Sequence, residues 1–507
     1  MALLVCPECG KKVSEYASAC PECGCPMSVI KSKQTAEPTS KYVETLGDLV
    51  PGKTPKTDAG LSGDPVELYK VADSYFNQNK YDEAFKYVQK SAELGYAPAQ
   101  RDLGWCYEYG HGTAIDLKKA FELYTLAANQ GNAGAKFSLA CMYDSGKYVA
   151  QNYNEAFRWY LSAAEQGHAK SQSNLGFCYE NGRGVDRDPK TAVYWYQKAA
   201  DQGHPRAFAN LGYCYEKGVG VAQNYDKAFE NYVKAAEKND SVGMCNLGFC
   251  YEKGYGTAAN LGLAFEWYKK GALAGSPQAM NNLGYCYSKG VGVAKNLSAS
   301  FEWYLKGADK GNKMAQYSVA LCYQRGEGTA KNEYKAYEYA LKSANQGYKF
   351  AQNLVGNYHY FGTGTPVNFA EAARWYTKAA DQGYSTAQYN LGICYDRGEG
   401  VTQNYDEAYR LYKLAADQGS NEAMNNLGNM YFSGKGVAQD RERAFEFYMQ
   451  AALNQYTIGQ SNVGLCYEYG YGVEVNYSEA IRYYRMAADK GHQKAKEGLR
   501  RLGVDYK

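Results

Sequence analysis

The residues of this chain best suited to chemistry are four cysteines near its start, arranged as two matching pairs. Each pair encloses a Pro-Glu dipeptide and is followed by glycine, and the overall spacing is C-x2-C-x10-C-x2-C. Two thiolates at this spacing can coordinate one metal ion from a tight turn, and four thiolates suit tetrahedral Zn²⁺. We therefore predict a structural zinc site at Cys6, Cys9, Cys20 and Cys23. An iron centre held by the same four sulfurs stays open as an alternative.

The predicted metal site is closed, because four sulfurs leave no open coordination position, and we expect no catalysis there. A pair of redox-active dithiols is the alternative, which two identical pairs side by side disfavour. Residues 1–28 are too few for a hydrophobic core, so this zinc ribbon should fold only with metal. Cys25 is interpreted as a bystander. Between Cys6 and Cys23 there are two lysines and three glutamates, and this acidic balance argues against a phosphate-binding surface.

The rest of the chain repeats one unit, marked most clearly by Leu-Gly-Trp-Cys-Tyr-Glu-Tyr-Gly at 103–110. Its cysteine position, called the ladder, returns every 36 residues at Cys106, Met142, Cys178, Cys214, Cys250, Cys286, Cys322, Tyr358, Cys394, Met430 and Cys466. A fixed period of this length predicts a solenoid whose units pack on their neighbours. Adjacent ladder positions should lie about 10 Å apart. That distance is too long for a disulfide, so the ladder cysteines are predicted to be small buried side chains.

Each copy contains two amphipathic helical stretches. In the copy at 169–203, Leu175, Cys178 and Tyr179 fall on one face of the first stretch, which a glycine-rich turn then ends. The second stretch begins near Pro189, a favourable residue for a first helical turn. The pattern predicts an all-α protein, an α/α solenoid of about twelve helical hairpins preceded by the small zinc-ribbon unit.

We divide the chain into five segments. They are a zinc ribbon at 1–28, a flexible linker at 29–63, a short tetratricopeptide-like first hairpin at 64–97, eleven 36-residue repeats at 98–491, and a C-terminal capping helix and tail at 492–507. The first hairpin lacks four residues of the loop between its helices. The last segment is rich in lysine and arginine, as the polar end of a solenoid should be.

The repeat pattern, A-x-x-Q-x-x-L-G-x-C-Y-E-x-G-x-G-V followed by N-Y-x-x-A-F-x-W-Y-x-K-A-A-x-Q-G, resembles the Sel-one-like repeat family, a longer-looped relative of the tetratricopeptide repeat. The copies at 171–203, 207–239, 387–419 and 423–452 carry the resemblance most fully. It implies a right-handed superhelix that acts as an adaptor for protein complexes. The hydrolase activity proposed for cysteine-rich secreted members is not carried over, because each hairpin here has a single ladder cysteine.

The same resemblance implies that the first helix of each hairpin lines a concave surface. The position just before the ladder is aromatic in the N-terminal half, at Trp105, Phe177, Tyr213, Phe249 and Tyr285. Four positions before the ladder lies an amide row, at Asn174, Asn210, Asn246 and Asn282. Aromatic anchors beside amides suit an extended protein or peptide segment. The alternative is structural, with rings packed between repeats and amides bonded to their neighbours.

The composition excludes several classes of function. There are 56 Lys and Arg against 53 Asp and Glu, so the chain lacks the basic excess that duplex DNA demands, and nucleic acid is an unlikely partner. The absence of a long apolar run predicts no membrane span, and the start of the chain does not resemble a signal peptide, so a cytoplasmic location is expected. No combination of side chains recurs in an arrangement suited to catalysis, so we expect that the protein is not an enzyme.

The sequence therefore predicts a protein-interaction scaffold that binds an unidentified protein or peptide partner, with Zn²⁺ as a structural cofactor. The alternative places function in the zinc ribbon, as a docking head for nucleic acid or protein, with the repeat array as a spacer. The oligomeric state stays open.

Overall fold

The computed structural model describes residues 3–5, 12–14 and 63–505. Near the start, β1 (Leu3–Val5) pairs antiparallel with β2 (Lys12–Ser14). From 63 to 505 the regular elements are helices, so the prediction of an all-helical repeat solenoid is confirmed for this part. Outside the described residues lie nearly all of the predicted linker and the predicted metal ligands with their neighbour, Cys6, Cys9, Cys20, Cys23 and Cys25.

The chain forms two compact units, which divide between Ala274 and Gly275. The helices of the first unit are α1 (Pro65–Asn77), α2 (Tyr81–Glu93), α3 (Ala97–Tyr109), α4 (Leu117–Asn129), α5 (Ala133–Ser145), α6 (Tyr153–Ala164), α7 (Ala169–Asn181), α8 (Pro189–Asp201), α9 (Pro205–Lys217), α10 (Tyr225–Glu237), α11 (Ser241–Lys253) and α12 (Leu261–Leu273). Those of the second unit are α13 (Pro277–Lys289), α14 (Leu297–Asp309), α15 (Lys313–Arg325), α16 (Glu333–Asn345), α17 (Lys349–Phe361), α18 (Phe369–Ala380), α19 (Ser385–Arg397), α20 (Tyr405–Asp417), α21 (Asn421–Ser433), α22 (Arg441–Leu453), α23 (Thr457–Tyr469), α24 (Tyr477–Ala488) and α25 (Gln493–Arg501).

Consecutive helices pair into twelve hairpins, followed by the single helix α25. We call the first, odd-numbered helix of each hairpin the A helix and the second the B helix. From α4 onward, B helices begin at an Asn or Asp whose side chain accepts backbone N–H groups, as Asn404 does from Glu407 at 3.1 Å. From α3 onward, the A helices end at a left-handed glycine such as Gly182, whose N–H donates to the carbonyl oxygen of Cys178. These caps fix where each helix starts and stops.

Within a hairpin, the helices approach closely because a glycine of the A helix faces a tyrosine of the B helix. A Cβ atom on Gly212 would lie 2.5 Å from Cε1 of Tyr232, a side chain with no solvent exposure. The same pairing recurs at Gly104–Tyr124, Gly176–Tyr196, Gly248–Tyr268, Gly284–Tyr304, Gly356–Tyr376, Gly392–Tyr412, Gly428–Tyr448 and Gly464–Tyr484. Where the tyrosine is replaced by Ala340, the A helix carries Ala320 in place of the glycine. Ala140 opposite Tyr160 is the exception.

Between hairpins, a pair of glutamines forms a relay. In α7, the Gln172 amide donates to the carbonyl oxygen of Ala164 at 3.1 Å and accepts from Gln202 at 2.7 Å. The same relay occurs at Gln100–Gln130, Gln316–Gln346, Gln352–Gln382 and Gln388–Gln418. Each relay gives a buried amide a partner at a helix-terminal carbonyl, which also accepts the N–H of the following glycine, as Ala164 does from Gly167 at 3.0 Å. It explains why the repeat motif contains both A-x-x-Q and Q-G.

The glycine-rich turn after each A helix rests on the previous hairpin. A Cβ atom on Gly220 would clash with the carbonyl oxygen of Pro189, the first residue of α8. In the copy at 133–168, Tyr148 stands at this position and adopts a φ of 69°. An L side chain in this left-handed region is strained, so this turn stores strain that its sister turns avoid.

The ladder cysteines fill small buried positions, as expected, and no disulfide joins cysteines between residues 63 and 505. Burial raises the pKa of Cys178 to about 12, so its thiol stays protonated at neutral pH. In the same part of the chain, no helix has the length and apolarity to cross a bilayer.

Candidate protein-interaction surface

Three consecutive A helices, α7, α9 and α11, each carry one outward-facing stripe of related residues. The stripe positions are spaced at i, i+4, i+7 and i+11, which places them on one helical face. We call these the A stripes, and they consist of Lys170, Asn174, Phe177 and Asn181, then Arg206, Asn210, Tyr213 and Lys217, then Val242, Asn246, Phe249 and Lys253. None of these twelve residues is acidic. Each stripe has an amide and an aromatic ring at its centre.

The predicted aromatic row is partly open to solvent. Phe177 is 40% exposed, Tyr213 41% and Tyr285 44%, whereas the tyrosines of the intervening B helices that face the A-helix glycines, Tyr196, Tyr232 and Tyr268, are almost completely buried. Trp105 and Phe249 are half-buried. Exposure of several large rings at equivalent positions is the usual mark of a contact surface.

Several rings of this row also pack within the array. Trp105 stacks on His111, with ring centroids 4.3 Å apart, and His111 stacks at the same distance on Tyr81 of the previous hairpin. Two repeats later, the Arg183 guanidinium lies 4.9 Å from the Phe177 ring centroid. The structural interpretation of the row therefore holds for Trp105, while Phe177 keeps an exposed face.

The amide row is half-buried, and its contacts differ along the chain. In the first unit, Asn174, Asn210 and Asn246 lie half-buried on their stripes. In the second unit, Asn282 accepts from Gln278 of its own helix at 3.1 Å. Further along, Asn390 donates to Asn353 at 3.0 Å and Asn462 to Asn425 at 2.8 Å, in each case from one hairpin to the previous one. The amides of the second unit thus bond partly to each other, which was the structural alternative.

A row of carboxylates beside the stripes turns inward. Glu216 accepts from the hydroxyl of Tyr232 at 2.8 Å, and burial together with this carboxylate raises the tyrosine pKa far above its ordinary value. The same bond joins Glu108 to Tyr124, Glu180 to Tyr196, Glu252 to Tyr268 and Glu468 to Tyr484. These bonds satisfy hydroxyl groups that would otherwise be buried without a partner.

The tryptophans of the B helices pack within the array. Trp195 and Trp375 are 3% and 7% exposed, and Trp159, Trp267 and Trp303 are half-buried. Within 63–505, no cluster of three His, Cys, Asp or Glu side chains is arranged to hold a metal ion.

Comparison with known proteins identifies the repeat. The family model described as Sel1 repeat matches twelve consecutive segments, the first at 69–96 and the others continuous from 97 to 492. The chain belongs to the Sel1 repeat family. The Sel1 model includes the hairpin at 69–96, which the sequence had set apart because its inter-helix loop lacks four residues, and in the structure three residues separate α1 from α2. Proteins built from Sel1 and tetratricopeptide-like repeats generally act as protein-interaction scaffolds and are generally not enzymes.

Two relatives show how far the likeness extends. A protective antigen of uropathogenic Escherichia coli, c5321, has the same Sel1-like fold with 33% identity. The likeness covers 83% of this chain and 90% of that one, with a TM-score of 0.58. The rat protein DAP3-binding cell death enhancer 1 (Rattus norvegicus) is 52% identical over 40 residues, which are 8% of each chain. The match therefore spans less than a tenth of that curated relative.

Proposed function

We propose that this protein is an interaction scaffold that binds a protein or peptide segment along the A stripes of its first unit, on a concave surface. The observation that carries the proposal is the exposure of Phe177 and Tyr213 on neighbouring A helices, in an array whose other large rings are mostly packed. Exposed rings cost solvation free energy unless a partner covers them, and they bind such partners well.

The neighbouring amides support the same proposal. Asn174, Asn210 and Asn246 each sit three residues before the ring of their stripe and are half-buried, so their side chains are oriented by the array. A side-chain amide both donates and accepts, which matches the alternating N–H and C=O groups of an extended backbone. The rings can contact apolar side chains of a peptide, and the amides can bond to its backbone. Together they provide the two kinds of contact that peptide recognition needs.

The triple variant Phe177→Ala, Tyr213→Ala, Phe249→Ala tests the proposal. Partners captured by the purified chain and identified by mass spectrometry should be lost, while the helical circular-dichroism signal is retained. The matched control is Tyr334→Ala with Tyr477→Ala, because those rings are 69% and 57% exposed but lie on B helices. Equal capture by the triple variant and the control would contradict the proposal.

We further propose that residues 1–28 hold a structural Zn²⁺ through Cys6, Cys9, Cys20 and Cys23. The pairing of β1 with β2 supports this, because Cys6 and Cys9 lie in the six-residue connection between these strands. A cysteine pair between two antiparallel strands suits a metal knuckle. We expect one zinc per chain by mass spectrometry of the native protein, and loss of the metal on Cys6→Ser with Cys20→Ser. Iron in place of zinc would contradict the assignment of the metal.

The alternative function, a zinc-bearing docking head for nucleic acid or protein with the array as spacer, has a direct test. A chain that lacks residues 1–28 should keep its partners if the A stripes bind them. Loss of every partner from that chain, with the array still helical, would favour the docking head.

A further inference from the structure

From α3 onward, the ion pairs on the A-helix side of the first unit share one order of exposure, with the cation more exposed than the carboxylate. The Lys217 side chain is 48% exposed and that of its partner Glu216 is 6% exposed. For Arg206 and Asp240, the exposed fractions are 47% and 8%. The same order holds for Lys253–Glu252, Lys147–Glu108, Arg101–Asp102 and Arg183–Asp144. In Lys118–Glu122 of the B helix α4, by contrast, both partners are exposed.

Inward hydrogen bonds cause this orientation. Glu216 and Glu252 each accept from a buried tyrosine hydroxyl at 2.8 Å. Asp240 caps α11 and accepts from the backbone N–H groups of Val242 at 3.0 Å and Gly243 at 2.8 Å. A carboxylate held by inward donors cannot turn toward solvent, whereas a lysine ammonium has three N–H donors and keeps some of them for outside acceptors. The A stripes therefore present cationic donors and contain no acidic residue.

The cations and the rings of the stripes lie together. Arg183 lies 4.9 Å from the ring centroid of Phe177, and the Lys253 ammonium lies 5.7 Å from that of Phe249. Lys170 and Arg206 stand at the opposite end of the stripes of α7 and α9, so the amide and ring of these two stripes lie between positive charges, whereas the stripe of α11 begins with Val242. A segment bound to α7 or α9 would meet an ammonium or guanidinium group on either side of the ring.

We propose that the A stripes of α7, α9 and α11 bind an extended acidic peptide segment with interspersed apolar side chains. The inference rests on the proposed scaffold function and adds the chemistry of the partner. Its carboxylates pair with Arg183, Arg206, Lys217 and Lys253, its backbone bonds to the asparagines, and its apolar side chains cover the rings. Neighbouring hairpins lie about 10 Å apart. An extended peptide rises about 3.3 Å per residue, so about three of its residues span the distance from one stripe to the next.

A single-stranded nucleic acid fits these observations less well. Four of the cations already share their charge with a carboxylate behind them, as Lys217 does with Glu216. A nucleic acid binds because cations of the protein neutralise its closely spaced phosphates and release their counterions. Cations that are already paired with carboxylates neutralise phosphates only weakly. A peptide carboxylate needs only one or two local donors.

The test uses the full chain and a dye-labelled 16-residue peptide made of four Glu-Phe-Asp-Ser units, followed by fluorescence polarisation. The control peptide has Gln-Phe-Asn-Ser units, which keep size and apolar content without the charge. A third probe is a 16-nucleotide oligouridine. The test variant is Lys217→Gln with Lys253→Gln, and the matched control is Lys118→Gln with Arg158→Gln, which removes the same charge from B helices of the same unit.

The inference predicts that the acidic peptide binds at least about tenfold more tightly than the amide peptide, and that added salt weakens it. The test variant should lose at least about fivefold in affinity, and the control variant should lose little. Equal loss in both variants, absence of binding, or tighter binding of oligouridine would overturn the inference. If the chain still captured proteins through its aromatic rings in any of these cases, the scaffold function would stand and only the acidic partner would be wrong.

Discussion

Replacing Gly212 by alanine tests the central packing contact of the hairpins, because two effects of opposite sign compete there. Helix propensity alone favours alanine in α9 by about 1 kcal/mol. However, the added Cβ atom would lie 2.5 Å from Cε1 and 2.6 Å from Cδ1 of Tyr232. An ordinary carbon–carbon contact is about 3.5–4.0 Å, so the buried ring would have to retreat by about 1 Å.

That movement has a cost in packing and in hydrogen bonding. Overpacking a core costs about 1–3 kcal/mol, and a displaced ring would weaken the bond of Tyr232 to Glu216, a bond to a charged group worth about 1.5–3 kcal/mol. We expect Gly212→Ala to lower the free energy of unfolding by about 2 kcal/mol, against the sign given by helix propensity.

The assay is urea unfolding followed by circular dichroism, with hydrogen exchange of the α9 and α10 amides, because long repeat arrays do not unfold in one step. The control is Gly262→Ala, since only Asn260 Oδ1, at 3.4 Å, would lie near its Cβ atom. We expect the control to be neutral or slightly stabilising. A Gly212→Ala variant at least as stable as the parent would refute the reasoning.

Three further predictions follow from the fold. Tyr148→Gly should raise the unfolding free energy by about 1 kcal/mol, because it relieves a left-handed φ, and no gain in the urea midpoint would count against strain in that turn. A double-mutant cycle of Gln352→Met and Gln382→Ala should show coupling of about 1 kcal/mol in urea unfolding, and strict additivity would contradict the relay. Burial, with Lys170 nearby, lowers the pKa of His168 to about 4. As the pH falls from 6.5, the unfolded chain therefore binds a proton at His168 before the folded chain does, and the free energy of unfolding should decrease between pH 6.5 and 4. His168→Asn keeps a helix-capping side chain and should reduce this drop in pH-dependent urea midpoints, and an unchanged pH profile would contradict the assignment.

The architecture was predictable because the period is strict and each repeat carries its own helix signals. Glycine at Gly182 and proline at Pro189 mark a helix end and a helix start without any tertiary information. The burial of ladder residues such as Cys178 followed from their position on the apolar face.

The direction of polar side chains was not predictable from one repeat alone. The inward bond of Glu216 to Tyr232 joins residues 16 positions apart, and a single sequence gives no sign of which polar side chain turns inward. A comparison of copies would have found the paired change of glycine and tyrosine to Ala320 and Ala340, since close packing couples those positions. The relay of Gln172 and Gln202 likewise needs the previous hairpin in contact, because Gln172 donates to the carbonyl oxygen of Ala164 in that hairpin.

The central claim is that partners bind the A stripes of the first unit. A photo-cross-linking amino acid placed at Tyr213, and in a second protein at Tyr334, tests it most directly, because both side chains are exposed and only the first lies on a stripe. Mass spectrometry of the adducts should identify a protein segment rich in Asp and Glu joined at position 213, with few adducts at position 334. Equal adducts at both positions, or none at position 213 while partners are still captured, would contradict the account.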